Sequence, residues 1–334
     1  MTAIIAAGGV SKTFRQPKRF SGLGGALKGL FSRDYTEIHA VADISFTIAA
    51  GEAVGYLGPN GAGKSTMIKM MTGILVPSGG ALSVLGRTPH THRMVNAAEI
   101  GVVFGQRSQL WWDLPVRDSF ELNRHIYDIL APRYADNLAY LSDMLGMTSY
   151  LDRPVRQLSL GQRMRAEIAM ALLHDPKILF LDEPTIGLDV VAKDAVRKFL
   201  SKVNRERGTT IILTTHDLQD IEEICPRLIM VDEGKLLFDG EVTRLRAALG
   251  SRRRLTLTFG TDPGTITLAG AQLVSDEGAA KHFLLESEDT SLLDVLTELG
   301  SGYDLSDVAL EEPAIEEVIR TFYQRKTAIA GVAP

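Results

Sequence analysis

The nine residues GPNGAGKST, Gly58–Thr66, decide how the rest of the chain is read. They fit the pattern G-x-x-x-x-G-K-[ST], follow the apolar run AVGYL and open a stretch of helical periodicity from Lys64 to about Thr72. Strand, glycine-rich turn, then helix is the context that a phosphate-binding loop requires. Gly58, Gly61 and Gly63 let backbone N–H groups turn inward toward phosphate oxygens with no Cβ in the way. The helix N-terminus adds a dipole that favours an anion. Pro59, Asn60 and Ala62 complete the cradle. Lys64 reaches the β- and γ-phosphates, and Ser65, followed by Thr66, offers a hydroxyl to Mg²⁺.

Moving outward, ILFLDEP, Ile178–Pro184, is an apolar run that ends in two carboxylates. Open α/β sheets bind ligands at the carboxyl ends of their strands. There Asp182 is suited to hold Mg²⁺ through water and Glu183 to act as general base. KILFLD and TTIILTT are continuous apolar runs, each with a helical segment before it. Strands apolar on both faces and alternating with helices imply a covered parallel sheet. ISFTIAA, Ile44–Ala50, alternates instead, as a half-buried strand does. After about Gly240 come the short alternating runs LTLTF, AQLVS and HFLLES, then the helical LLDVLTEL, YDLSDVAL and a final helical AIEEVIRTFYQ. The expected organisation is an α/β domain over 1–240 and a small α+β accessory domain over 241–334.

Composition narrows the class. The 334 residues carry a net charge of -5, with no global basic footprint for nucleic acid. The single cysteine, Cys225, cannot form an intrachain disulfide or a thiolate metal site and is expected to be a plain buried thiol. No stretch approaches the roughly 20 apolar residues of a membrane span, and MTAIIAAGGVSKTF lacks a signal-peptide layout. Any membrane role is expected to be peripheral.

LSLGQRMRAEIAMALLHDPKILFLDEPTIGLD, Leu158–Asp189, resembles the heart of the ATPase subunits of ABC transporters, and the order and spacing of motifs match from about Ile4 to Gly240. The resemblance implies a P-loop NTPase fold of the ABC type: a parallel core, an antiparallel β subdomain and a helical signature subdomain at about 107–165. It implies ATP and Mg²⁺ as ligands and a head-to-tail dimer, of two copies or with a related ATPase subunit. In that dimer the signature LSLGQ (Leu158, Ser159, Leu160, Gly161, Gln162) acts across the interface, with Ser159 and the Gly161 N–H on the γ-phosphate. Leu160 departs from the family's usual glycine. His216, in TTHD, corresponds to the switch histidine. Gly187, Leu188 and Asp189 correspond to the loop that joins the two sites. Gln106 corresponds to the glutamine that completes Mg²⁺ coordination; Gln109 is the alternative. Phe14 is the expected adenine platform, with Tyr35 as alternative.

The family resemblance also implies an integral membrane permease as partner, and so a place on the cytoplasmic face of the cell membrane. The segment after Gln106 would receive it, and FGQRSQLWWDLP looks like the viologen- and drug-exporter branch. Large amphipathic rings anchor interfaces, so at least one of Trp111 and Trp112 is expected to face the permease and the other to pack inward. A basic insertion at about 16–38, with Lys18, Arg19, Lys28 and Arg33 and an amphipathic GLGGALKGLFSR, could meet lipid headgroups or the permease, or form a solvated loop. The alternatives are an importer subunit, a soluble ABC ATPase acting on nucleic acid or ribosomes, and a nucleotide-binding regulator without turnover.

Overall fold

A computed structural model describes residues 3–17, 35–105, 108–248, 253–285, 292–299 and 303–311, together with Ile315, Val318, Ile319 and Phe322. The chain divides into two compact units, Met1–Gly240 and Glu241–Pro334.

The first unit begins with two long strands, β1 (Ala3–Pro17) and β2 (Tyr35–Ala49), paired antiparallel as far as Pro17 with Tyr35. The alternation read in ISFTIAA is real: Val41, Ile44, Phe46 and Ile48 are buried and their neighbours are not. With β4 (Gly79–Val84) they form a three-stranded sheet in the order β2-β1-β4. Gln16, Pro17 and Tyr35–Ile38 are therefore strand residues. The basic positions Lys18, Arg19, Lys28 and Arg33, and all of GLGGALKGLFSR, lie outside the described residues. Of the nearby cations, Lys12 donates to the Val76 carbonyl (2.7 Å) and Arg15 pairs with Glu37 (3.1 Å).

The second sheet is the continuous-apolar one. β3 (Ala53–Leu57), β5 (Ile100–Phe104), β6 (Ile178–Asp182), β7 (Thr210–Thr214), β8 (Arg227–Asp232) and β9 (Lys235–Glu241) lie in the order β5-β6-β7-β3-β8-β9. The first five are parallel. Every residue of β3 and β7 is buried, which is why those segments show no alternation in sequence. Glu233 and Gly234, both at positive φ, turn β8 into β9, the tight two-residue link that antiparallel neighbours favour.

Helices cover this sheet. α1 (Lys64–Met71) and α2 (Arg93–Ala97) come first; α3 (Val116–Ile126), α4 (Ala131–Met144) and α5 (Leu160–Leu172) follow β5; α6 (Val190–Arg207) and α7 (Leu218–Ile224) follow β6 and β7. Cys225, just past α7, is buried and unpaired, and burial pushes its thiol well above its ordinary value. Among the described residues no helix is long and apolar enough to cross a membrane.

The second unit contains α8 (Val242–Ala248) and an antiparallel sheet of β10 (Arg254–Phe259), β11 (Ala271–Glu277), β12 (Ala280–Leu285) and β13 (Leu305–Glu311), in the order β11-β12-β10-β13. α9 (Leu292–Leu299) precedes β13, and Val295 and Leu299 pack with Leu255, Leu257, Phe259 and Phe283 in one core. Ile315, Val318, Ile319 and Phe322 are helical and buried at i, i+3, i+4 and i+7 spacing, one face of a helix. YDLSDVAL, whose conformation the sequence leaves open, is mostly strand.

Candidate functional site

Strand order assembles the site. β5, β6, β7 and β3 are consecutive neighbours in the parallel sheet, so the loops at their carboxyl ends lie side by side. A cleft of about 520 Å³ opens there, lined among others by Asn60, Gly61, Gly63, Lys64, Ser65, Thr66, Asp182, Glu183 and His216.

The loop between β3 and α1 is held from behind as well as shaped for a ligand. A Cβ on Gly58 would collide with the Val231 carbonyl of β8, and one on Gly63 with the Ala40 carbonyl of β2. Gly61 has open space but a φ of +86°, so its demand for glycine is conformational. The three glycines thus answer three needs, two of them close backbone approaches within the protein. Ala62 is buried beneath the loop and Gly63 is the N-cap of α1. Lys64 donates from Nζ to the carbonyls of Gly58 (2.6 Å) and Pro59 (3.1 Å). Burial pushes its ammonium below the ordinary value, with Glu183 and Asp182 pulling the other way.

At the end of β6, Asp182 accepts from Ser65 Oγ (3.2 Å) and from Thr214 Oγ1 of β7 (2.5 Å). Glu183 sits at φ +59°, a strained conformation for a side-chain-bearing residue. Its Oε1 lies 3.2 Å from His216 Nε2, and its Oε2 accepts the His216 backbone N–H (3.3 Å). Burial raises the Glu183 carboxyl above its ordinary value, while His216 and Lys64 oppose the shift.

Behind this pair lies a residue that sequence reading missed. Asp220 on α7 is fully buried and accepts from Thr185 Oγ1 (2.5 Å), Thr215 Oγ1 (2.8 Å) and Arg197 Nε (2.6 Å). One carboxylate therefore ties the turn after Glu183 to the residue before His216 and to α6. Its place one helical turn beyond Asp217, which caps α7, was the available signal.

The signature lies at the start of α5. Ser159 is the N-cap: its Oγ accepts from the Gln162 N–H (3.2 Å), and Gln162 Oε1 accepts from the Ser159 N–H (3.0 Å), a reciprocal capping box. Leu158 precedes the cap in extended conformation. Leu160 has helical geometry and its side chain is 40% exposed. Its Cδ2 stands 2.8 Å from where a Cβ on Gly187 would lie, so the leucine leans on the Gly187 turn. A Cβ on Gly161 would meet Ala192 at 3.2 Å, a tight approach that keeps the start of α5 beside α6. Leu188 is buried, and Asp189 caps α6 by accepting from the Ala192 N–H (2.8 Å).

Other expectations fare differently. Gln106 lies outside the described residues. Gln109, the alternative, is committed elsewhere: its Nε2 donates to the Val102 carbonyl (2.5 Å). Phe14 stands on β1 opposite Ile38, beneath the Lys12 ammonium at 5.3 Å, and is not among the residues lining the cleft; Ala40 of β2 is. Tyr35 stands at the far end of the same ribbon, half exposed. The inward packing expected of one tryptophan is not found. Trp111 is 56% and Trp112 53% exposed, because the turn closed by the Leu114 N–H on the Trp111 carbonyl (3.1 Å) leaves both rings outside. Among the described residues of this loop, Leu110 is the buried side chain.

Residues 41–186 match the family model described as ABC transporter. The chain is 34% identical over 208 residues to the ABC transporter ATP-binding protein NatA of Bacillus subtilis, covering 62% of this chain and 84% of that one. It is 31% identical over 300 residues to the methionine import ATP-binding protein MetN 2 of Bacillus licheniformis (88% and 82%), and 36% identical over 200 residues to the Nod factor export ATP-binding protein I of a Rhizobium species (60% and 65%). Among solved structures it is similar to an ATP-binding cassette in a dimeric post-hydrolysis state bound to ADP and Pi. That match has a TM-score of 0.59 and 25% identity, covering 71% of this chain and 98% of the other.

Proposed function

Because the chain belongs to the ATP-binding proteins of ABC transporters, ATP-hydrolysing subunits that power transport, we propose that it drives a membrane exporter of drugs or other small molecules through closure of a head-to-tail dimer. The observation that carries the catalytic part is the convergence of Lys64, Asp182, Glu183 and His216 at the ends of adjacent strands. Lys64 exchanges its two loop carbonyls for phosphate oxygens when nucleotide enters. Glu183, with its carboxylate oriented by His216, takes the proton of the attacking water. His216 lies on the cleft wall, able to meet the γ-phosphate from one side and Glu183 from the other.

The Ser65 hydroxyl and the Asp182 carboxylate, 3.2 Å apart, are the oxygen donors that a hard cation such as Mg²⁺ takes. Bound there, Mg²⁺ would supply charge neutralisation for the phosphates. Gln106 is assigned to the same task by its place after β5. Ser159 and the Gly161 N–H of a second subunit complete the γ-phosphate site. Phe14, paired across the ribbon with Ile38, two residues before Ala40 of the cleft wall, remains the proposed adenine platform.

The partner is an integral membrane permease, which holds the subunit at the cytoplasmic face of the membrane. The loop that carries the exposed Trp111 and Trp112 is its docking site, with at least one of the two rings on the permease. Export is supported by the Nod factor relatives; the methionine import relative, which spans more of the chain, supports import as the second reading. Identifying the permease that co-purifies with the full chain, then assaying it in proteoliposomes with ATP outside, decides between them. Cargo carried into the lumen, away from the ATP side, is the expected result; cargo carried out of the lumen establishes import. Ribosomes or DNA in place of a permease would overturn the transporter partner altogether.

A further inference from the structure

The loop between β5 and α3 is fastened to the signature helix α5 at two points. Glu167, two turns into α5 and only 4% exposed, accepts the Gln109 N–H on both carboxylate oxygens (3.1 and 3.0 Å), the Leu110 N–H (3.5 Å) and the Ser108 hydroxyl. One turn earlier on the same helix, the Arg163 guanidinium lies 5.8 Å from the centre of the Trp112 ring. Arg163 makes no salt bridge among the described residues; its guanidinium faces the ring while its charge also acts on the Glu167 carboxylate one turn along the helix. The backbone completes the attachment. The carbonyls of Trp112 and Leu114 accept the N–H groups of Arg156 (3.0 Å) and Val155 (3.0 Å), in the turn that runs directly into Leu158 and Ser159. Arg156 also pairs with Asp113 (2.8 Å).

These contacts make the docking loop and the first two turns of α5 one rigid piece. A buried carboxylate taking several backbone N–H groups is costly to disturb, and a cation over an indole face adds a directional contact. We infer that Glu167 and Arg163 are positioning residues for ATP hydrolysis. They lock the Trp112 loop to the signature helix, so that a permease pressing on the loop moves Ser159 and Gly161 relative to the γ-phosphate of the facing subunit. The two rings then divide the work: Trp112 is engaged by Arg163, and Trp111 is the ring left to the permease. This inference rests on the dimer reading above.

The chain has only these two tryptophans, so its fluorescence reports on this loop alone. In the full chain carrying Trp111→Phe, Arg163→Gln is expected to shift the emission of Trp112; in the Trp112→Phe background the same substitution is expected to leave Trp111 unchanged. In ATPase assays, Arg163→Gln and Trp112→Leu are each expected to lower kcat about two- to fivefold with KM for ATP unchanged, since the Lys64 loop is untouched. Arg163→Lys restores most of that loss, and the double variant falls no further than either single one. Glu167→Gln lowers kcat further than Arg163→Gln does. Losses that multiply in the double variant, or an Arg163→Lys chain as impaired as Arg163→Gln, overturn the inference. A Glu183→Gln chain that stays monomeric at saturating ATP and Mg²⁺ overturns instead the dimer reading beneath it.

Discussion

In the proposed dimer the carboxyl edge of the parallel sheet and the N-terminus of α5 supply two halves of one reaction site, and they are built in opposite ways. At the sheet edge every reactive group already has a partner: Lys64 on two carbonyls, Asp182 on two hydroxyls, Glu183 on His216. At α5, the side chains of Ser159 and Gln162 bond only to each other's backbone N–H. Leu160 stays exposed at 40%, and so do the apolar residues flanking the Gly187 turn it leans on, Ile186 at 45% and Val190 and Val191 at 80% each. The first half is complete on folding. The second is an exposed surface whose counterpart, in the proposed dimer, belongs to another subunit.

If the sheet edge is prebuilt, damage there is severe and shows in the isolated chain. Glu183→Gln is expected to lower kcat about 10²- to 10⁴-fold while ATP binding persists, measured by steady-state hydrolysis and nucleotide titration. Asp220→Ala takes the shared acceptor from Arg197 Nε and the Thr185 and Thr215 hydroxyls, while Arg197 keeps Asp217 (3.0 Å), and is expected to cost about 3–5 kcal/mol in urea unfolding. A loss of only a few tenths of a kcal/mol would show that the carboxylate is not the tie between Glu183 and His216.

Damage on the α5 side is expected to be milder for the fold. Ser159→Ala removes one cap and should cost about 1 kcal/mol of stability, with hydrolysis falling more than that loss explains. A stability loss as large as that of Asp220→Ala would erase the contrast between the halves. Acidity sharpens it from the other side. Burial raises Glu183 above its ordinary value, so the acidic limb of the kcat profile should lie above the usual carboxylate range of about 4. A raised native value favours folding below the unfolded-state value and loses that contribution as pH rises through the native one. Calorimetry across pH should therefore find Glu183→Gln more thermostable than the parent near neutrality, with the difference gone at about pH 4. The smallest effect is expected from Leu160→Gly, under about 1 kcal/mol, through the lost contact with the Gly187 turn.

Much of the sheet-edge half was legible because its signals are local. The Lys64 loop, the Asp182–Glu183 strand end and TTHD each occupy a handful of consecutive residues, and uninterrupted apolar runs mark the strands that carry them. What escaped is what depends on residues distant in sequence meeting through the sheet. Asp220 reaches Thr185 across 35 positions, and Gly58 is required by the carbonyl of Val231 on a strand far along the chain. The tryptophans were misjudged for a related reason. One ring was expected to pack inward, but the turn that the Leu114 N–H closes on the Trp111 carbonyl, which no residue pattern announces, leaves both more than half exposed. Gln106 and most of the basic insertion lie outside the described residues.

The isolated Cys225 has a practical consequence. Its thiol is enclosed and pushed far from ionisation, and thiol reagents attack the thiolate. The chain is thus close to cysteine-free for labelling purposes. A cysteine introduced at an exposed site away from the signature, such as Leu130, would be the one thiol a maleimide dye finds, and distances between two such dyes would report directly on how far apart the subunits of the proposed dimer stand before and after ATP.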